Sequence, residues 1–216
     1  FGTNGFHLKF DDSSDIGVDS TSNSNDFTAT NLSSHDVMLD VPTKNYATMS
    51  PVSDYVSSGS NTFSEGNLRV DSTNAYNKIA STIAVSSGKW YAEVQGISGS
   101  ADLMLGIGKQ ADIYSSLYTG QSGNYAYMIY CYDGRLQHNG NQGATGVGAV
   151  GDTDILQIAL DLDNNKVWWG KNGTWVGTVG SSGGTTITSG EYFFLQGYRD
   201  EAQWNFGQDR SFSGTK

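Results

Sequence analysis

The sequence predicts an all-β chain of antiparallel strands with very little helix, on three observations. Residues 151–173 read as strand, tight turn, strand, turn, with Leu156, Ile158, Leu160 and Leu162 on one face and Gln157, Ala159 and Asp161 on the other. Such alternation marks a half-buried antiparallel strand. No long segment carries apolar residues at i, i+3, i+4 and i+7, the spacing by which a helix buries one face. The chain has 28 Gly, and its charged fraction of 16% lies below the roughly 25% of an average soluble domain. Its polarity comes from Ser, Thr, Asn and Gln, which suits many short strands joined by loops.

Taken in chain order, Phe6, Leu8 and Phe10 alternate as a first strand with His7 facing outward. A polar tract follows from Asp11 to Asn31, and the segment to Pro51 holds both prolines, Pro42 and Pro51. Residues 1–51 are too polar to form a core of their own. They are expected to wrap on the domain that follows, the strand adding to a sheet edge and Phe27, Leu32, Met38 and Leu39 pinning the loops. Ile79, Ser81, Ile83 and Val85 alternate, so residues 75–85 read as strand. Trp90, Ala92 and Val94 are expected to face in, with Tyr91, Glu93 and Gln95 out; Leu103, Leu105 and Ile107 form the next inward set. Cys131, the single cysteine, sits in the alternating run Tyr127 to Tyr132 as a small buried residue. Asp163, Asn164 and Asn165 tolerate left-handed backbone and close the hairpin into Val167-Trp168-Trp169. In residues 192–198 alternation leaves open whether Phe193 and Leu195 or Tyr192, Phe194 and Tyr198 face the core. Tyr198 to Glu201 are expected to cap a hairpin before Trp204.

Several of these strands, in the same order, resemble the SPRY (B30.2-like) family. The hairpin Gly151 to Gly173 resembles its signature hairpin, and Gly88-Lys89-Trp90-Tyr91-Ala92-Glu93-Val94 its "G.WY.EV" strand. Leu105-Gly106-Ile107-Gly108, then Tyr125-Ala126-Tyr127 with Asp133-Gly134-Arg135-Leu136, then Trp204-Asn205-Phe206-Gly207 continue the match. The resemblance implies an antiparallel β-sandwich, a concanavalin-like or SPRY-like jelly roll, over residues 52–216 with its motif-bearing core at 88–208. It also implies a non-enzymatic binding module whose ligand surface is formed by loops at one end. The lead-in resembles a segment that precedes a SPRY-like sandwich in structural proteins of marine tailed phages. Gly5-Phe6-His7-Leu8-Lys9-Phe10, Ser24-Asn25-Asp26-Phe27-Thr28 and Asp40-Val41-Pro42-Thr43-Lys44-Asn45-Tyr46-Ala47-Thr48 carry that likeness.

Charge narrows the partners. Twelve basic against 22 acidic residues give a net charge of −10, with no basic cluster. Nucleic acid, which requires phosphate neutralisation, is excluded as a partner on this ground. Anionic membranes are disfavoured, and no apolar run approaches the roughly 20 residues of a membrane span. Without an initiator Met or a signal peptide, the sequence reads as an excised or processed segment.

Chemistry-bearing patterns resolve to loops. Gly146 to Gly151 matches a dinucleotide-binding spacing but lacks the following helix that would meet a pyrophosphate. His7, His35 and His138 share no metal-ligand spacing with one another or with Cys131. Asp161, Asp163, Asn164 and Asn165 lack the continuation of a calcium loop, and Asp11, Asp12, Asp15 and Asp19 read as solvated loop charge. No cofactor, metal or catalytic residue is expected. The positive signal is aromatic and polar residues in loops: Tyr114, Tyr118 and Tyr125, then Arg135, His138 and Asn139, then Tyr198 and Arg199. Aromatic faces stack on sugar rings or anchor peptides, while amide and guanidinium groups read hydrogen bonds. The expected function is adhesion by a virion appendage, such as a tail fibre, to a host-surface glycan or protein receptor. Contacts with other virion proteins and a homotrimeric assembly belong to that expectation. The alternatives are a structural or decoration role through subunit contacts, and a glycan depolymerase with two acids across a groove.

Overall fold

The structure is a computed structural model describing residues 2–32, 37, 45–55, 58–74, 76–98, 102–116 and 119–208. Two compact units are present, Ala47–Phe206, and Phe1–Tyr46 together with Gly207–Lys216.

The larger unit is a sandwich of two antiparallel sheets. One has the order β1(Met49–Tyr55), β4(Lys78–Ser81), β14(Phe193–Tyr198), β6(Leu103–Gly108), β7(Tyr127–Tyr130), β8(Arg135–His138), β9(Asn141–Gly146). The other has the order β12(Thr174–Trp175), β11(Lys166–Lys171), β10(Ile155–Asp161), β5(Lys89–Ser98), β15(Asp200–Asn205), β3(Arg69–Ser72), β2(Asn61–Ser64), with β13(Thr185–Thr186) also paired to β11. The only helix among the described residues is the four-residue α1(Gln110–Ile113). No helix there is long and apolar enough to cross a membrane.

The inner faces meet in one core. Leu105, Ile107, Ile129 and Phe194 come from the first sheet, and Ala92, Val94, Leu156, Ile158, Val167, Trp169 and Trp204 from the second. Trp204 stacks on Phe206 at 5.5 Å, and Phe194 meets both rings edge-on. Across this core the Trp204 Nε1–H donates to Gln196 Oε1 at 3.0 Å, and Gln196 Nε2 donates to the Val70 carbonyl at 3.1 Å. These buried polar groups are therefore satisfied, as a low-dielectric interior demands. Cys131 is fully buried in the same core, which pushes its thiol pKa up and leaves it a poor nucleophile.

A second apolar layer covers the outer face of the first sheet. Ala80, Met104, Met128 and Leu195 pack there against Ile113 and Ala126 of the segment joining β6 to β7. Two buried side chains hold that segment down. Asp112 accepts from the Lys109 N–H (2.9 Å) and the Tyr125 N–H (2.7 Å). Asn124 accepts from Gly120 and Ala126 and donates to the Asp112 carbonyl, all at 3.1 Å. Coverage on both faces settles the order of residues 192–198: Tyr192 and Phe194 belong to the inner core, Phe193 and Leu195 to the outer layer.

Three local expectations are corrected. Trp90 is 45% exposed at the start of β5, its indole N–H donating to the Ser87 carbonyl at 2.7 Å. Gln95 is buried instead, beneath a loop whose Thr153 carbonyl lies 3.4 Å from its Nε2. Tyr198 to Glu201 do not cap a hairpin, because β14 and β15 lie in different sheets. Positive φ at Tyr198 (72°) and Asp200 (81°) turns the chain through Arg199 from one sheet to the other.

In the smaller unit, Phe6 to Phe10 form no strand; a single bridge joins Leu8 and Asp19. Left-handed backbone at Phe10 (φ 54°) turns the chain out of strand geometry, and the local hydrogen bonds centre on Asp19, a buried carboxylate that takes the His7 N–H. It accepts from the N–H groups of His7 (2.9 Å), Thr21 (2.9 Å) and Asn25 (3.0 Å) and from the Thr21 hydroxyl (2.7 Å). Burial pushes its pKa up, but these four donors outweigh burial and hold it well below the usual carboxylate range. Asn23 and Asn25 donate to the carbonyls of Gly2, Thr3 and Gly5, so the unit is organised by polar groups. Phe27 and Leu32 are exposed, and Phe27 meets Phe6 edge-on at 4.7 Å. Met38 and Leu39 lie outside the described residues.

Candidate functional site

The sheet-to-sheet corner at Arg199 creates the most distinctive surface of the sandwich. Strand alternation would put Tyr198 on the inner face with Phe194 and Gln196. The left-handed backbone at Tyr198 swings its ring to the outer layer instead. There it meets Tyr130 edge-on (6.0 Å between centroids, 64°), and Tyr132 stacks beyond Tyr130 (5.9 Å, 29°). Tyr132 is 66% exposed, so the row leads from the layer into solvent. Asp102 ties the row to the corner: its Oδ2 accepts from Arg199 Nε (2.7 Å) and pairs with Nη2 (2.6 Å), while Oδ1 lies 3.4 Å from the Tyr130 hydroxyl. Burial and the adjacent Asp102 carboxylate push the Tyr130 pKa up to about 12, so this phenol stays neutral.

Beside the row lies a depression of about 310 Å³ lined by Met104, Thr119, Gly120, Gln121, Tyr130, Gln137, Gly140 and Tyr198. Thr119 reaches its floor because Gly197 has no side chain; a Cβ there would stand 2.2 Å from the Thr119 hydroxyl oxygen. A second depression of about 450 Å³ lies at the β11–β12 turn, lined by Lys171, Asn172, Thr174 and Trp175 among others. There Lys171 donates to the Ala149 carbonyl (2.7 Å) and Asn172 to Asp154 (2.6 Å), so these two side chains are engaged within the fold.

The structure is similar to the crystal structure of the SPRY domain of human HERC1, with a TM-score of 0.57 and 12% sequence identity, over 75% of this chain and 99% of that domain. The fold is SPRY-like. No protein-family model matches the sequence, and no curated protein matches it.

Within this SPRY-like sandwich the residues singled out from sequence divide between two places. Tyr198, Arg199 and Arg135 share the corner region; Arg135 is the direct cross-strand partner of Tyr130 and is exposed. Tyr125, His138 and Asn139 gather at the opposite end of β7 and β8. His138 stacks on Tyr127 (3.9 Å, 7°), with its Nδ1 3.2 Å from the Ala126 carbonyl, and meets Tyr125 edge-on at 6.3 Å. Asn139 accepts from the Gly123 N–H at 2.8 Å, and its own N–H donates to the Asn124 carbonyl at 3.1 Å. His138 and Asn139 thus hold the loop in shape. Tyr114 ends α1 and is half exposed; Tyr118 lies outside the described residues.

Tyr130, Tyr132, Thr119 and Gln137 were not singled out from sequence. The two tyrosines were findable, because spacing i, i+2 around a buried Cys131 puts both on the face away from the core. Thr119 and Gln137 carry no local signal. Asp161 and Asp163 serve turns, accepting from Asn164 and from the Gly88 N–H, and Asp12 accepts from Ser14. Among the described residues no three His, Cys, Asp or Glu side chains are grouped to hold a metal ion.

Proposed function

We propose that this protein is a non-catalytic binding module of a tailed-phage virion surface, such as a tail fibre, which attaches to a receptor on the host. The observation that carries this reading is Tyr198, a bulky residue at φ 72° whose half-buried ring lies in a tyrosine row that leads into solvent at Tyr132. Left-handed backbone at a non-glycine residue costs on the order of 1–3 kcal/mol and persists where the surroundings enforce it, often at ligand sites. The SPRY-like sandwich supports a binding role, and the phage setting rests on the likeness of the lead-in to virion proteins. The test is binding of the labelled protein to a panel of marine bacterial cells. Saturable binding that falls at least tenfold in Tyr198→Ala, with the thermal transition retained, is the expected result.

A second reading, a structural virion component, is favoured by the exposed Phe6, Phe10 and Phe27 of the smaller unit. Apolar surface of this kind suits subunit contacts. A folded protein that binds no cells but sediments as a trimer would select it.

A further inference from the structure

We infer that the depression beside Tyr130 and Tyr198 is a site for one pyranose ring of a neutral saccharide. This rests on the binding-module reading and names the ligand of that surface. A volume of about 310 Å³ is at the small end of the roughly 300–1,000 Å³ typical of ligand sites, which suits a single ring. The walls are of two kinds. Tyr130 and Tyr198 provide ring faces whose negative π density attracts the C–H groups of a pyranose. Facing them is polar surface with unused capacity. Among the described residues the half-buried Gln137 side-chain amide has no protein partner, whereas the Thr119 hydroxyl is closed off against Gly197. The amide both donates and accepts, which is what a sugar hydroxyl requires of its neighbour.

Charge and topology select the class. None of the lining residues is acidic or basic. At the rim, Arg199 and Asp102 neutralise each other at 2.6 Å, the exposed Arg135 beside Tyr130 is offset by Asp133, whose charge also reaches Tyr130, and the chain carries −10 overall. An acidic sugar would therefore approach against the field of the molecule. An extended peptide is disfavoured for a different reason. Tyr130 and Tyr198 belong to β7 and β14, interior strands paired on both sides, so their backbones offer no open edge for strand addition.

The test titrates the full chain with methyl glycosides of glucose, galactose, mannose and N-acetylglucosamine, and in parallel with glucuronic and N-acetylneuraminic acids, reading backbone NMR shifts. One ring engaged in this way binds with a dissociation constant on the order of 1 mM. Shifts clustered at Thr119, Tyr130, Gln137 and Tyr198 with a neutral glycoside are expected. Gln137→Leu should weaken binding at least tenfold, and so should Tyr130→Ala. Because Tyr130→Ala also thins the outer layer, Gln137→Leu with an unchanged thermal transition is the deciding variant. Response to the acidic sugars alone overturns the neutral class and leaves the binding module standing. Cell binding without response to any neutral glycoside does the same. No response to sugars or cells overturns both.

Discussion

Lys78 has no exposed surface although it carries an ammonium group. Its Nζ donates to the Ser115 carbonyl and lies 5.1 Å from the centre of the Tyr55 ring. Burial lowers its pKa from 10.5 to about 8, against the opposing pull of Asp112. The folded pKa is below the unfolded one, so the unfolded chain holds this proton more tightly. The lysine therefore costs stability below pH 8, and that cost fades as pH rises from about 8 to 10.5. The shift corresponds to a cost on the order of 3 kcal/mol at neutral pH. Lys78→Met removes the cost but leaves the Ser115 carbonyl without this donor, for a net gain of about 1–3 kcal/mol at pH 7. The advantage should shrink towards pH 10, because only the native lysine is relieved there. Urea unfolding of both proteins at pH 7 and pH 10 checks the sign. A variant that is less stable at both, by the same margin, would show that the ammonium is not penalised.

At the scale of elements, alternation was legible wherever one face of a strand is buried. β10 pairs with β5 and β11, and Leu156, Ile158 and Leu160 all enter the core, as the alternation predicts. β14 was not legible by pattern, because the β6–β7 segment covers its second face and both parities are apolar. The Phe6 strand was misread, since alternation cannot foresee the left-handed turn at Phe10 or the buried Asp19 that takes the His7 N–H. The β7–β8 turn makes a sharper demand. Gly134 has φ 71°, its N–H donates to the Tyr130 carbonyl at 2.8 Å, and its carbonyl accepts from Val147 at 2.9 Å. A Cβ there would stand 1.9 Å from the Gly148 carbonyl oxygen. Gly134→Ala should therefore destabilise by about 1–3 kcal/mol, because an unfavourable φ and a backbone clash act together. The midpoint of thermal unfolding measures it, and loss of the β9 amide protection would locate the damage. Because Tyr130 and Tyr132 flank this turn, sugar binding should weaken with it.

On the scale of the whole molecule, the SPRY-like sandwich was legible because its motifs sit at turns and strand pairs that the fold requires. The tyrosine row was only partly legible, since it depends on a left-handed residue at a corner between two sheets. Nothing in the local pattern of residues 193–198 announces that corner; it exists because β14 and β15 pair with partners far away in the chain. Long-range pairing of this kind has a consequence for autonomy. Every named strand falls between Met49 and Asn205, and both apolar clusters are drawn from the same unit, Ala47–Phe206. The smaller unit is organised instead by Asp19 and its polar neighbours. A fragment comprising Ala47–Phe206 should therefore fold by itself, with a single cooperative transition, since one apolar core of this size suffices for a two-state domain. Circular dichroism with calorimetry is the check. A fragment that melts without cooperativity would mean that residues 1–46 or 207–216 contribute to the stability of the sandwich. If it does fold, it should retain the whole of the saccharide affinity, because every lining residue of the depression lies inside it.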